Sequence, residues 1–68
     1  MLKGTVKRFD RDRGFGFIGR DDGGVDVFVH ISELQRAGID SLHVGQRLSF
    51  EVEPQKDGRL RAVGVVQL

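Results

Sequence analysis

Arg13-Gly14-Phe15-Gly16-Phe17-Ile18 is the stretch on which the reading of this chain turns. Successive side chains of a β-strand point to opposite faces. Arg13, Phe15 and Phe17 therefore share one face, and Gly14, Gly16 and Ile18 share the other. The pattern is inverted relative to an ordinary half-buried strand, because glycine stands where bulk would fill a core and only Ile18 points inward with substance. A second stretch repeats the logic. Across Val25 to Ile31, the residues Val25, Val27, Val29 and Ile31 fall on one face, and Asp26, Phe28 and His30 on the other. Between the two stretches, Asp21-Asp22-Gly23-Gly24 is a strong turn signal, since glycine supplies positive φ at no steric cost. Pairing through that turn gathers Phe15, Phe17, Phe28 and His30 into one patch, with Lys7, Arg8 and Arg13 at its side. The valine face and the aromatic face cannot both lie inside so small a domain, so the aromatic face is assigned to solvent.

The remaining segments fit the same scheme. Leu2 to Phe9 is rich in strand formers and ends in a polar turn, Asp10-Arg11-Asp12-Arg13. Ser32-Glu33-Leu34-Gln35-Arg36 fits one short helical turn with Ser32 as its N-cap. Ala37 to Gly45 connects, with Leu42 and Val44 expected to tuck its end onto the core. Arg47 to Glu53 alternates, with Leu48, Phe50 and Val52 inward and Arg47, Ser49, Glu51 and Glu53 outward. Pro54 to Gly58 is a turn, and Leu60 to Leu68 is a last, valine-rich strand. Five short strands of this kind would leave long open edges in a flat sheet. The expected fold class is all-β: a small five-stranded antiparallel barrel of OB-fold type, a single domain spanning 1–68.

Length and composition agree. The chain has 68 residues, eleven Lys+Arg against ten Asp+Glu, five Phe and no Trp, Tyr or Cys. Without cysteine there is no disulfide, no thiolate ligand for zinc and no thiol nucleophile, and the composition fits a reducing compartment. No apolar run approaches a membrane span, and Met1-Leu2-Lys3-Gly4 carries no signal-peptide core. A cytoplasmic monomer with no metal, cofactor, membrane or small-molecule substrate is the expectation. The net charge of +1 conceals a polarity. Residues 3–20 hold six basic side chains (Lys3, Lys7, Arg8, Arg11, Arg13, Arg20) against Asp10 and Asp12. Residues 21–57 hold eight acidic side chains against Arg36, Arg47 and Lys56. One positive face on a nearly neutral molecule follows.

An exposed aromatic patch beside that positive face is the arrangement single-stranded nucleic acid requires. Every base offers a π-face for stacking, worth about 1–3 kcal/mol each, and the backbone offers phosphates. A protein-interaction module using the same patch is the alternative. Other motifs fail on context. Gly14 to Gly19 spells GxGxxG, but the turn that follows leaves no room for the helix a dinucleotide site needs. Asp10 to Gly14 hints at a calcium loop, yet its third ligand position is glycine. An RRM would carry Arg-Gly-Phe-Gly-Phe on a late strand and need two helices. His30-Ile31-Ser32 is a neighbourhood, not a triad, and no enzyme is expected.

Four stretches, Lys3 to Phe9, Arg13 to Ile18, Asp26 to Ser32 and Ser41 to Phe50, resemble the bacterial cold-shock proteins. The resemblance covers about residues 3–67, and its two ribonucleoprotein motifs, Gly14–Ile18 and Val27–His30, are specific in order and spacing. It implies an OB barrel that binds single-stranded RNA or DNA with low sequence preference, and in many members an RNA-chaperone activity. It implies stacking by Phe15, Phe17, Phe28 and His30, with Phe17 and Phe28 central. Lys7, Arg8, Arg13 and Arg59 are expected on phosphates or stacked on bases. Asp26 either accepts from a base edge or only caps its turn, and Ile31 is a further candidate base contact. The sequence departs from the family at Arg8, where Trp is usual, and at Asp10, where Asn is usual. Ile31 and Ile39 replace aromatics, Gly58-Arg59 replaces Gly-Pro, and the last strand is one residue longer. Arg8 can compensate, since a guanidinium plane stacks and also meets phosphate. Weaker, more salt-dependent binding than in a Trp-bearing relative is expected. Phe9 is expected half-buried, Phe50 in the core and His43 toward solvent.

Overall fold

A computed structural model describes all residues 1–68. The strands are β1 (Leu2–Asp10), β2 (Phe15–Arg20), β3 (Val27–His30), β4 (Arg47–Pro54) and β5 (Leu60–Gln67), with one helix, α1 (Ile31–Arg36), after β3. They close into a barrel in the order β1-β2-β3-β5-β4. The pairs β1–β2, β2–β3, β1–β4 and β4–β5 are antiparallel; the joint that closes the barrel, β3–β5, is parallel.

The inward faces supply one core: Val6, Ile18, Val27, Val29, Leu34, Ile39, Leu42, Leu48, Phe50, Ala62 and Val65. Ile18, Val27, Val29, Leu34, Leu48 and Phe50 are wholly buried. Phe15, Phe17 and Phe28 are absent from this list, so the interior is filled without them. The inverted pattern of β2 has a local cause. A Cβ on Gly16 would collide with the Arg8 carbonyl oxygen and lie 2.9 Å from Phe9 Cδ1. Gly16 is therefore bare so that β1 can come close and Phe9 can lean over it, half-buried against the core.

Two bulges adjust the alternation. Val6 pairs with Ile18 and Arg8 with Phe17, so Lys7 is an extra residue in β1. In β5, Ser49 pairs with Val66 but Glu51 with Val63, so the extra residue lies there. Gly64, at φ 59°, takes the left-handed turn that absorbs it.

Several expectations are corrected. Val25 is not an inward strand residue but 76% exposed, because β3 begins only at Val27. Ile31 leaves the strand to open α1, whose N-cap is His30 rather than Ser32; the His30 side chain accepts from the Ser32 backbone N–H. Leu42 reaches the core, whereas Val44 is 74% exposed. Ser49 keeps the outward register, opposite the exposed Lys3 and Val66, but is nonetheless buried. Ile39, from the loop after α1, lies in the core.

The β2–β3 connection is held by ion pairs. Arg47 donates from Nη1 and Nη2 to the two Asp21 carboxylate oxygens, each at 2.6 Å, and from Nη1 to Thr5 Oγ1 at 3.0 Å. Arg20 donates from Nε to Asp22 at 2.9 Å, and Asp22 also accepts from the Gly24 backbone N–H. The hydrogen bond from Arg47 holds the Asp21 carboxyl below its ordinary range. The bonds from Arg20 and from Gly24 do the same to Asp22.

Candidate nucleic-acid interface

Strand register arranges the outward face in two rows. In the first, Arg8 on β1 pairs with Phe17 on β2, Phe17 with Phe28 on β3, and Phe28 with Arg61 on β5. In the second, Asp10 pairs with Phe15 and Phe15 with His30. Directly opposed residues share a face, so four rings and a guanidinium occupy one surface. Simple alternation from the buried Val6 would have turned Arg8 inward. The bulge at Lys7 restores it to the aromatic side.

The rings touch as a continuous platform. Phe15 and Phe28 stack with centroids 5.7 Å apart and planes 27° from parallel. Phe17 meets both edge-on, at 6.0 Å from each. His30 is tilted beside Phe28 at 6.3 Å. All four are half-buried, so each ring keeps a solvent-facing surface while its base is fixed by its neighbours.

The charged candidates divide. Arg8 is exposed and has no ion-pair partner or side-chain hydrogen bond. Lys7 is not free: its Nζ lies 3.1 Å from Asp26, and its stem crosses β2 over Gly19, where a Cβ would meet Lys7 Cε. Asp26 therefore holds Lys7, and no turn-capping hydrogen bond involves its side chain. Arg13 is well exposed with a loose contact to Asp10 at 3.7 Å, while Asp10 also accepts the Arg13 backbone N–H at 3.1 Å. Asp10 thus ties the β1–β2 turn. Arg59 is exposed and 3.5 Å from Asp57. Ile31 is set apart from the rings, lining a separate recess with Arg11, Gln35 and Gly38.

Beside Phe17 and Phe28 opens a cleft of roughly 770 Å³, lined also by Val25, Asp26, Gly58, Arg59 and Leu60. It joins the aromatic platform to the β4–β5 turn. Val25 and Leu60 were not among the sequence candidates. Val25 reads as a core-facing strand residue, and only the late start of β3 frees it to line the cleft.

A closed five-stranded barrel that carries ribonucleoprotein-type aromatics on the outer face of β2 and β3 defines a class of small nucleic-acid-binding domain. The family described as the 'cold-shock' DNA-binding domain matches residues 2–68. The chain is 52% identical over 63 residues to the probable cold shock protein y4cH of Sinorhizobium fredii, covering 91% of each chain. It is 48% identical over 65 residues to cold shock-like protein CspA of Shewanella violacea, covering 96% of this chain and 91% of that one. It is also 54% identical over 63 residues to glycine-rich protein 2 of Nicotiana sylvestris, covering 93% of this chain but 29% of that longer protein. The chain belongs to the cold-shock domain family, a family of nucleic-acid-binding domains.

Proposed function

We propose that this chain binds single-stranded RNA or DNA with little sequence preference, stacking bases on Phe15, Phe17 and Phe28 with His30 at the platform's end. The observation that carries the reading is the contiguous ring cluster on the outside of a barrel whose core is complete without it. Half-burying three phenylalanines on an outer face leaves apolar surface in water, which a base plane covers. Because any base has a π-face, stacking tolerates sequence. Arg8, Arg13 and Arg59 border the rings and meet phosphates, and Arg8 also stacks. Lys7 and Asp26, paired with each other, offer a donor and an acceptor to a base edge on exchanging partners. By capturing unpaired bases the protein pulls hairpin and duplex equilibria toward open strands, with no chemical step and no nucleotide hydrolysis. RNA-chaperone and regulatory roles in transcription or translation follow from that mass action.

Fluorescent hexathymidine and hexauridine, titrated at two salt concentrations, test this. Each stacked base contributes about 1–3 kcal/mol, so Phe17→Ala with Phe28→Ala is expected to weaken binding at least tenfold while the fold, read by circular dichroism, persists. Unchanged binding by the double variant overturns the stacking model. No binding by the unaltered chain favours a protein-interaction surface instead.

A further inference from the structure

We propose that Arg61, acting through Ser32, is a positioning residue that holds His30 as a fixed Nε2–H donor toward an acceptor atom of the bound strand. This deepens the nucleic-acid reading above and rests on it.

The hydrogen bonds around His30 each have a defined direction. The Ser32 backbone N–H donates to His30 Nδ1 at 3.1 Å. An amide N–H has no acceptor capacity, so Nδ1 is the acceptor, and in the neutral ring the proton sits on Nε2. The Ser32 hydroxyl lies 2.9 Å from the same Nδ1. Arg61 Nη2 donates to Ser32 Oγ at 3.1 Å, and a guanidinium can only donate. The oxygen's lone pair therefore faces Arg61, and its hydrogen is turned toward the ring. The same Nη2 reaches Glu33 Oε2 at 2.9 Å, and that carboxylate is only 7% exposed. Glu33, Arg61, Ser32 and His30 form one relay, in which two donors grip the inner edge of the imidazole.

The outer edge is left available. Nε2 has no protein partner, and it is not among the enclosed unpartnered atoms, so it opens to solvent at the end of the platform. Arg61 Nε, by contrast, is buried without a partner. Leaving a buried donor unpaired is a cost to folding, which argues that stability alone does not set the Arg61 side chain. A ring that could exchange tautomers or rotate would meet the strand as donor or acceptor by turns. The relay removes that freedom beforehand, the kind of support from surrounding side chains on which binding precision depends.

Long-range ¹H–¹⁵N spectra of the ¹⁵N-labelled chain at about pH 8, above the ordinary imidazole range, read the His30 tautomer in the absence of ligand. Hexathymidine titrations across a salt series read binding. The expected results are an Nε2–H ring in the unaltered chain and a measurable Nδ1–H fraction in Arg61→Gln. Affinity of that variant should fall about fivefold, the factor one net hydrogen bond is worth, with an unchanged salt slope. Arg61→Lys should restore part of both readouts. Ser32→Ala, a smaller change that leaves the Glu33–Arg61 pair intact, should move both in the same direction as Arg61→Gln should that variant fail to fold. An Nδ1–H ring in the unaltered chain overturns the proposal. So does an Arg61→Gln slope lowered by about 0.7 with the tautomer unmoved, because that is the signature of a direct phosphate contact. If the tautomer responds as expected but no strand binds, the positioning stands and the nucleic-acid reading fails. Repeating the comparison on methylphosphonate hexathymidine separates the acceptors: a vanishing fivefold loss assigns an anionic phosphate oxygen, and a persisting one a neutral acceptor of the strand.

Discussion

Arg8 carries more of this molecule's individuality than any other side chain. It faces the platform, opposite Phe17, with no partner of its own. On the function proposed above, a guanidinium there serves as a stacking plane and as a phosphate contact at once, and the second role is the one salt screens. Arg8→Trp exchanges the salt-sensitive part for a larger π-surface. Its hexathymidine affinity is expected to rise at least fivefold at about 0.15 M salt, and the slope of log K against log salt to flatten by about 0.7, the contribution of one phosphate on a single strand. A slope that stays as steep as in the unaltered chain would place Arg8 away from the strand's backbone. The four rings were legible from sequence because period-two alternation survives within β2 and β3. The position of Arg8 beside them was expected as well, but the bulge that puts it there was not, because a bulge leaves no mark in a pattern of residue types. Position 7 is an ordinary lysine, and the extra residue shows only in its pairing.

Among the elements, the β2–β3 connection is pinned by two arginine–carboxylate pairs. Asp21 and Asp22 both titrate below their ordinary range, through hydrogen bonds from Arg47 and from Arg20. A carboxylate whose pKa is lower folded than unfolded binds fewer protons in the native state, so stability falls as pH falls. The stabilisation is complete above the ordinary carboxylate range, at about pH 4 to 5, and is lost as pH drops through the depressed folded values. Urea midpoints measured from about pH 7 to pH 2 should therefore decline below pH 4, and the decline should be shallower in the Asp21→Asn, Asp22→Asn chain. Equal slopes in the two chains would remove this turn from the acid response. Its sequence announced a turn and little more. The glycines mark where the backbone bends, but the partner of Asp21 lies 26 residues away on β4, a distance that no local pattern encodes. The start of α1 was obscured for a related reason. Ser32 has the residue type of an N-cap, yet His30 holds the position because its imidazole bends back from the end of β3. The burial of Ser49 was missed because alternation describes which way a side chain points, not whether neighbouring strands cover it.

At the scale of the whole molecule, 68 residues enclose a small interior, and a domain of this size is marginally stable. Ligand binding then becomes conspicuous in stability. Saturation with hexathymidine at about one hundred times its Kd adds about 2.7 kcal/mol to the native state. For so short a chain, that amount should raise Tm by about 10–20 °C. A Tm unmoved at saturating strand would mean that unfolded chain binds as well as folded chain, and hence that the platform is not the receptor.

The closing joint gives that coupling a location. Four of the barrel's five joints are antiparallel ladders with several paired residues, whereas β3 meets β5 through a single registered pair, Phe28 and Arg61. A ring with four welds and one clasp has its fewest ladder hydrogen bonds at the clasp. Here the clasp runs through the platform itself: Phe28 is half of it, and the adjoining cleft spans it from Phe17 to Arg59 and Leu60. On the function proposed above, a strand laid along that cleft would strap the ring shut. By reciprocity, whatever tightens the ring also tightens its hold on the strand.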